Sequence, residues 1–173
     1  ILGVTGLLVM LLGFGRAAEA RSVLPPVDPT GWVIEQADYT GTIQDRIARF
    51  EVRYTIRVMR DGWMEIPLVL GGATVNDIKI EKRIGEAHLI PRDRHYALGV
   101  SRKGQYKVRV TFATLLQQDS QSEGVQLQIP QATFSTVELF VPRKDVELGS
   151  EDQLYIERKP DASRGGVTLT ARV

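Results

Sequence analysis

Apolar and polar residues alternate singly along much of this chain, most clearly in RFEVRYTIRVMRDGWMEIPLVLGG at residues 49–72. Phe50, Val52, Tyr54, Ile56 and Val58 share one side of an extended chain, and Arg49, Glu51, Arg53, Thr55 and Arg57 share the other. Successive side chains of a strand point to opposite sides, so this pattern predicts a sheet with one buried and one wet face. A loop at Arg60, Asp61 and Gly62 would fold the run into a hairpin, with Gly62 in the left-handed position. Val58 then faces Met64, Ile56 faces Ile66, Tyr54 faces Leu68 and Val52 faces Leu70, while Arg57 meets Glu65 outside. A slip of one residue would bury arginines, so the inward set is strongly specified.

The pattern returns in YALGVSRKGQYKVRVTF, 96–112, where a loop at Arg102, Lys103 and Gly104 sets Val100 against Tyr106, Leu98 against Val108 and Tyr96 against Val110. Further strands are predicted at 33–38, 74–82, 86–90, 124–129, 135–141, 153–157 and 166–172, separated by Gly, Pro, Asp and Ser. No window beyond Trp32 has the period of an amphipathic helix. About nine to eleven short strands at this spacing predict an all-β domain, an antiparallel β-sandwich, with a closed barrel as second choice. Pro67, Pro91, Pro130 and Pro142 are expected at strand edges or ends, and QQDSQSEG at 117–124 is the most polar connection.

The first residues depart from this pattern. ILGVTGLLVMLLGFG, 1–15, has no charge, and RAAEARS follows with the small-residue signature Ala18-Glu19-Ala20 of an export cleavage site. The sequence predicts a hydrophobic helix over 1–20, either a signal peptide or an uncleaved anchor held in the bilayer by Leu7, Leu8, Leu11, Leu12 and Phe14. Residues 21–31, with Pro25, Pro26 and Pro29, read as a stiff linker, and the β-sandwich domain spans 32–173. Either fate of the leader places that domain in the cell envelope, on the periplasmic side of the inner membrane.

Composition narrows the chemistry. With 22 basic and 21 acidic residues among 173, the net charge of +1 exerts no global pull on nucleic acid or anionic lipid. The absence of cysteine removes disulfides, thiolate catalysis and cysteine-bound metals. His88 and His95, with Glu86 and Asp93 nearby, invite a metal or acid–base reading, yet strand parity turns His95 toward solvent. No Gly-x-Ser-x-Gly elbow occurs, and the glycine pairs at 71–72 and 165–166 open no phosphate loop. Glu151 with Asp152, Asp38 with Asp45, and Asp119 with Ser120 and Glu123 form no spacing that catalysis or calcium requires. No catalytic residue, cofactor or metal is expected.

What remains is recognition. Arg49, Arg53 and Arg57 form a basic stripe suited to an anionic polymer, although Glu51 and Glu65 interrupt it and solubility alone explains such a face. Trp63 and Phe140 are out of step with the core residues around them and could meet a partner. ADYTGTI followed by ARFEVRYTIRVMRDGWMEIPL resembles segments of exported bacterial proteins, of uncharacterised activity, that carry β-sandwich modules. The resemblance spans about residues 33–141, rests on strand patterning and the Asp-Gly-Trp turn, and implies an envelope setting without an activity. The expectation is a non-enzymatic, membrane-proximal accessory subunit that docks on an envelope or membrane protein complex. The alternative is an exported module that binds carbohydrate or an anionic polymer.

Overall fold

The computed structural model describes residues 5–11, 31–70, 73–82, 84–93, 95–118, 123–143, 146–150 and 155–172, and among them there is no helix. The strands are β1 (Thr5–Leu11), β2 (Trp32–Gln44), β3 (Ile47–Val58), β4 (Met64–Leu70), β5 (Thr74–Lys82), β6 (Ala87–Pro91) and β7 (His95–Val100). There follow β8 (Gly104–Leu115), β9 (Gln117–Gln118), β10 (Glu123–Ile129), β11 (Phe134–Val141), β12 (Val146–Ser150), β13 (Tyr155–Asp161) and β14 (Gly166–Arg172). One sheet has the order β13-β14-β11-β2-β3-β8-β5; the other runs β12-β1-β10-β4-β7-β6, with β9 beside β10. β11 lies parallel to β2, and the other described pairs are antiparallel.

The inward face read from the sequence is the core. Phe50, Val52, Tyr54, Ile56 and Val58 are buried, as are Met64, Ile66, Leu68, Leu98, Val100, Tyr106, Val108 and Val110. The strand predictions at 74–82 and 166–172 coincide with β5 and β14.

Their pairing is different. β3 pairs with β2 and β8, while β4 pairs with β7 and, among the described residues, joins the β10 ladder at Leu70 and Gln128. The two expected hairpins are therefore arches: residues 59–63 carry the chain from one sheet to the other, and 101–103 carry it back. The arches stack, because Val58 pairs with Gly104 in one sheet and Met64 with Val100 in the other. A hairpin and an arch bury the same side chains, so period-two patterning fixes the face and leaves the partner open. The expected Arg57–Glu65 pair is accordingly absent: Arg57 binds Glu35 and Glu65 binds Arg92.

Two further elements extend the reading. β2 continues past the predicted 33–38 and turns into β3 through Asp45 and Arg46, at φ of 48° and 64°. This is the two-residue turn that suits the twist of a hairpin, made here without glycine. At the N-terminus, where the sequence predicts a helix, the described stretch Thr5–Leu11 is a strand between β10 and β12. Leu7, Leu8 and Leu11 belong to it; residues 1–4 and 12–20, including Leu12 and Phe14, lie outside the described residues, as do 21–30. An unbroken apolar run fits a buried strand as well as a helix, so its letters alone do not decide between them. No helix among the described residues is long and apolar enough to cross a membrane.

Candidate functional site

The basic stripe is on the outer face of the larger sheet, interleaved with acids. Arg53 meets Glu51 at 2.8 Å, Arg57 meets Glu35, and Arg109 reaches Glu81 at 3.4 Å and Glu51 at 3.9 Å. Hydrogen bonds from Arg57 and Gln105 hold the Glu35 carboxyl below its ordinary range. Arg49 is exposed and makes no ion pair among the described residues. Phe140, on the outer side of β11, is covered by its own chain: the Arg164 guanidinium sits 4.3 Å from its ring centroid, and a side chain at Gly166 would collide with the ring.

His88 pairs with Gly99 across β6 and β7 and is exposed, whereas His95, expected to face solvent, is half-buried. Among the described residues no group of three or more His, Cys, Asp or Glu could hold a metal ion. Asp38 accepts a hydrogen bond from Gln36 Nε2 at 2.7 Å, and Asp45 is part of the β2–β3 turn. Residues 119–120 and 151–152 lie outside the described residues, as does the Glu123 side chain.

The two arches build the more distinctive feature. Gly62 N–H donates to the Ser101 carbonyl at 3.0 Å, and Lys103 N–H to Asp61 Oδ1 at 2.9 Å, so one arch is tied to the other. The Tyr106 hydroxyl, within 2.6 Å of the Ile84 carbonyl and 2.7 Å of the Arg102 carbonyl, adds the β5–β6 connection to the same frame. Burial pushes that hydroxyl's pKa up, which keeps it a donor. On this frame Met59, Trp63 and Ile84 are 49%, 55% and 39% exposed. They account for three of the five large apolar side chains exposed among the described residues; Leu115 and Phe134 are elsewhere.

Trp63 leans over the outer face of β7. A Cβ added at Gly99 would stand 2.7 Å from both Trp63 Cη2 and Cζ2, and 2.6 Å from Ile90 Cδ1, which accounts for a glycine in mid-strand. Beside it Glu65 accepts from Arg92 Nε at 3.0 Å and again from Arg92 Nη2, and a hydrogen bond from Trp63 also contributes. These contacts lower the Glu65 pKa, Arg92 first, and raise that of Arg92 in return. The parity of Trp63 was legible in the sequence; Met59 and Ile84 were missed, because single apolar residues in connections carry no period. Met59 does give one sign, since it directly follows the inward Val58 and breaks its phase.

No family model matches the chain, and no curated protein matches it. Its fold does match solved structures. An M1 zinc metallopeptidase from Deinococcus radiodurans, bound to a Tyr-Ser-Ala substrate, superposes with a TM-score of 0.57 at 13% identity, over 87% of this chain and 41% of that one. A second structure of the M1 zinc metallopeptidase from that organism gives 0.56 at 13% identity, over 82% and 39%. At this identity the likeness is one of fold, and this chain spans about two-fifths of the length of the chains it matches.

Proposed function

We propose that this chain is a non-enzymatic accessory domain that docks on a membrane protein complex in the bacterial envelope, outside the cytoplasmic membrane. The observation that carries this reading is the braced arch end, which holds Met59, Trp63 and Ile84 uncovered on a rigid frame. Loose loops would fold such side chains back; ties between connections prevent it. The charges of the large sheet face favour this reading over an anionic-polymer site, since Arg53 and Arg57 are already engaged by Glu51 and Glu35. The fold likeness is compatible with it, covering only part of a larger protein's chain.

The test is photo-crosslinking in native membranes from positions 59 and 134, with Trp63 kept, followed by identification of the captured protein. One specific membrane protein is expected, with recovery lowered about tenfold by Trp63→Ala, as for a residue central to an interface. A protein that runs alone after mild extraction and captures nothing specific would refute the reading. Trp63 itself favours a second one, glycan binding, because an exposed indole beside a preorganised carboxylate–guanidinium pair offers both stacking and hydrogen bonds. Retention on a glycan array that is lost in Trp63→Ala and kept in Arg53→Ala would support it.

A further inference from the structure

We propose that the arch end seats on an anionic lipid surface, with Met59, Trp63 and Ile84 entering the headgroup boundary and Arg60, Arg102 and Lys103 against lipid phosphates. The inference rests on the docking reading and names the surface beside which docking takes place.

Three observations converge on it. Side chains from two different connections, 59–63 and 84–86, project at one end of the sandwich, next to the basic third connection, 101–103. The tryptophan is the side chain best suited to a boundary that is apolar on one side and wet on the other. Charge has the right sign: the described residues of the three connections carry Arg60, Arg102 and Lys103 against Asp61 and Glu86. Apolar tips among cations are what an interfacial binder uses, area and charge adding together. β2 starts at this end too: the Met59 amide donates to the Gly31 carbonyl at 3.0 Å.

The full chain carrying Trp32→Phe keeps Trp63 as its sole tryptophan. It would be mixed with vesicles of phosphatidylglycerol or phosphatidylcholine, each with and without brominated acyl chains. On phosphatidylglycerol the Trp63 emission is expected to shift to the blue and to be quenched by bromine, with little change on phosphatidylcholine. Arg102→Gln and Lys103→Gln should each weaken partition about fivefold, the worth of one cation near such a surface. Far-UV circular dichroism checks that these variants are folded. The proposal is overturned if Trp63 stays unshifted and unquenched on phosphatidylglycerol, even when the chain sediments with the vesicles through its N-terminal segment. Equal quenching on both lipids overturns it as well. Crosslinking of position 59 to a protein without lipid quenching leaves docking standing and removes this inference. Quenching without any captured protein keeps the inference and removes the docking reading.

Discussion

The Tyr54 hydroxyl sits in the middle of the apolar core, where an unbonded polar atom is costly, and it has two partners. It donates to the Leu68 carbonyl and lies 2.9 Å from the Tyr39 hydroxyl, the two rings meeting edge to face with centroids 6.0 Å apart. Leu68 falls where the β4–β7 register shifts, between Pro67 and Val69, so its carbonyl has left the ladder and is available to the tyrosine. Burial raises the pKa of both hydroxyls, which keeps them neutral and donating. Tyr54→Phe should therefore cost about 1–3 kcal/mol, since it strands a carbonyl and a hydroxyl rather than removing one bond. Tyr39→Phe leaves Tyr54 bound to Leu68 and should cost less. Denaturant midpoints of the two variants decide the order. Asp161 offers a second test, at the surface. It accepts from Ser163 Oγ at 2.6 Å and from Arg164 Nε at 2.7 Å in the turn between β13 and β14, and these bonds hold its pKa at about 2 instead of 3.8. A depressed folded pKa stabilises above the unfolded value, and the contribution is lost as pH falls from about 4 toward 2. The gap in melting temperature between the native protein and Asp161→Ala should be constant above about pH 5 and shrink below 4. A gap that widens on acidification would contradict the assignment.

The strands explain what the sequence made legible and what it withheld. Parity along β3, β4, β7 and β8 can be read residue by residue, and Trp63 was assigned outward on that basis alone. Partnership could not be read, because Val58 and Met64 are inward in a hairpin and in an arch alike. The discriminating quantity is the connection, and Arg60-Asp61-Gly62 looks equally like a turn in either case. The β2–β3 hairpin was missed for the opposite reason: Asp45 and Arg46 adopt left-handed φ without the Asn-Gly letters that usually announce it. Edges were better foretold. Pro91 ends the outermost β6, and Pro130 and Pro142 directly follow β10 and β11, whereas Pro67 lies inside β4, where the register with β7 shifts. The arches also yield a prediction of their own. Gly104 opens β8 at φ of 143°, and a side chain there would run into Ile84. Gly104→Ala should cost about 1–3 kcal/mol from backbone strain alone. It should also displace Ile84, whose side chain the new methyl would strike; a melting curve checks the cost.

At the scale of the molecule, the order in which the chain visits the sheets matters more than any single contact. After β2 and β3 in one sheet it crosses to β4, returns for β5, crosses for β6 and β7, returns for β8, and continues to alternate through β9–β10, β11, β12 and β13–β14. Neither sheet is made of one continuous piece of chain, so neither can be assembled or lost without disturbing the connections that build the other. Both also share one core, with Tyr54 of the larger sheet bonded to Leu68 of the smaller. Such non-local pairing favours slow folding and a single cooperative transition. Far-UV circular dichroism follows both sheets, whereas Trp63 emission, in a Trp32→Phe background, follows the β4–β7 corner of the smaller one. The two unfolding curves in urea should superimpose, and Tyr54→Phe should move both by the same amount while leaving their slopes unchanged. If the fluorescence transition came first, with most of the circular dichroism intact, the smaller sheet would be melting alone. The chain's alternation would then have failed to couple the two layers, and the arch end would be a separately mobile surface rather than a rigid frame.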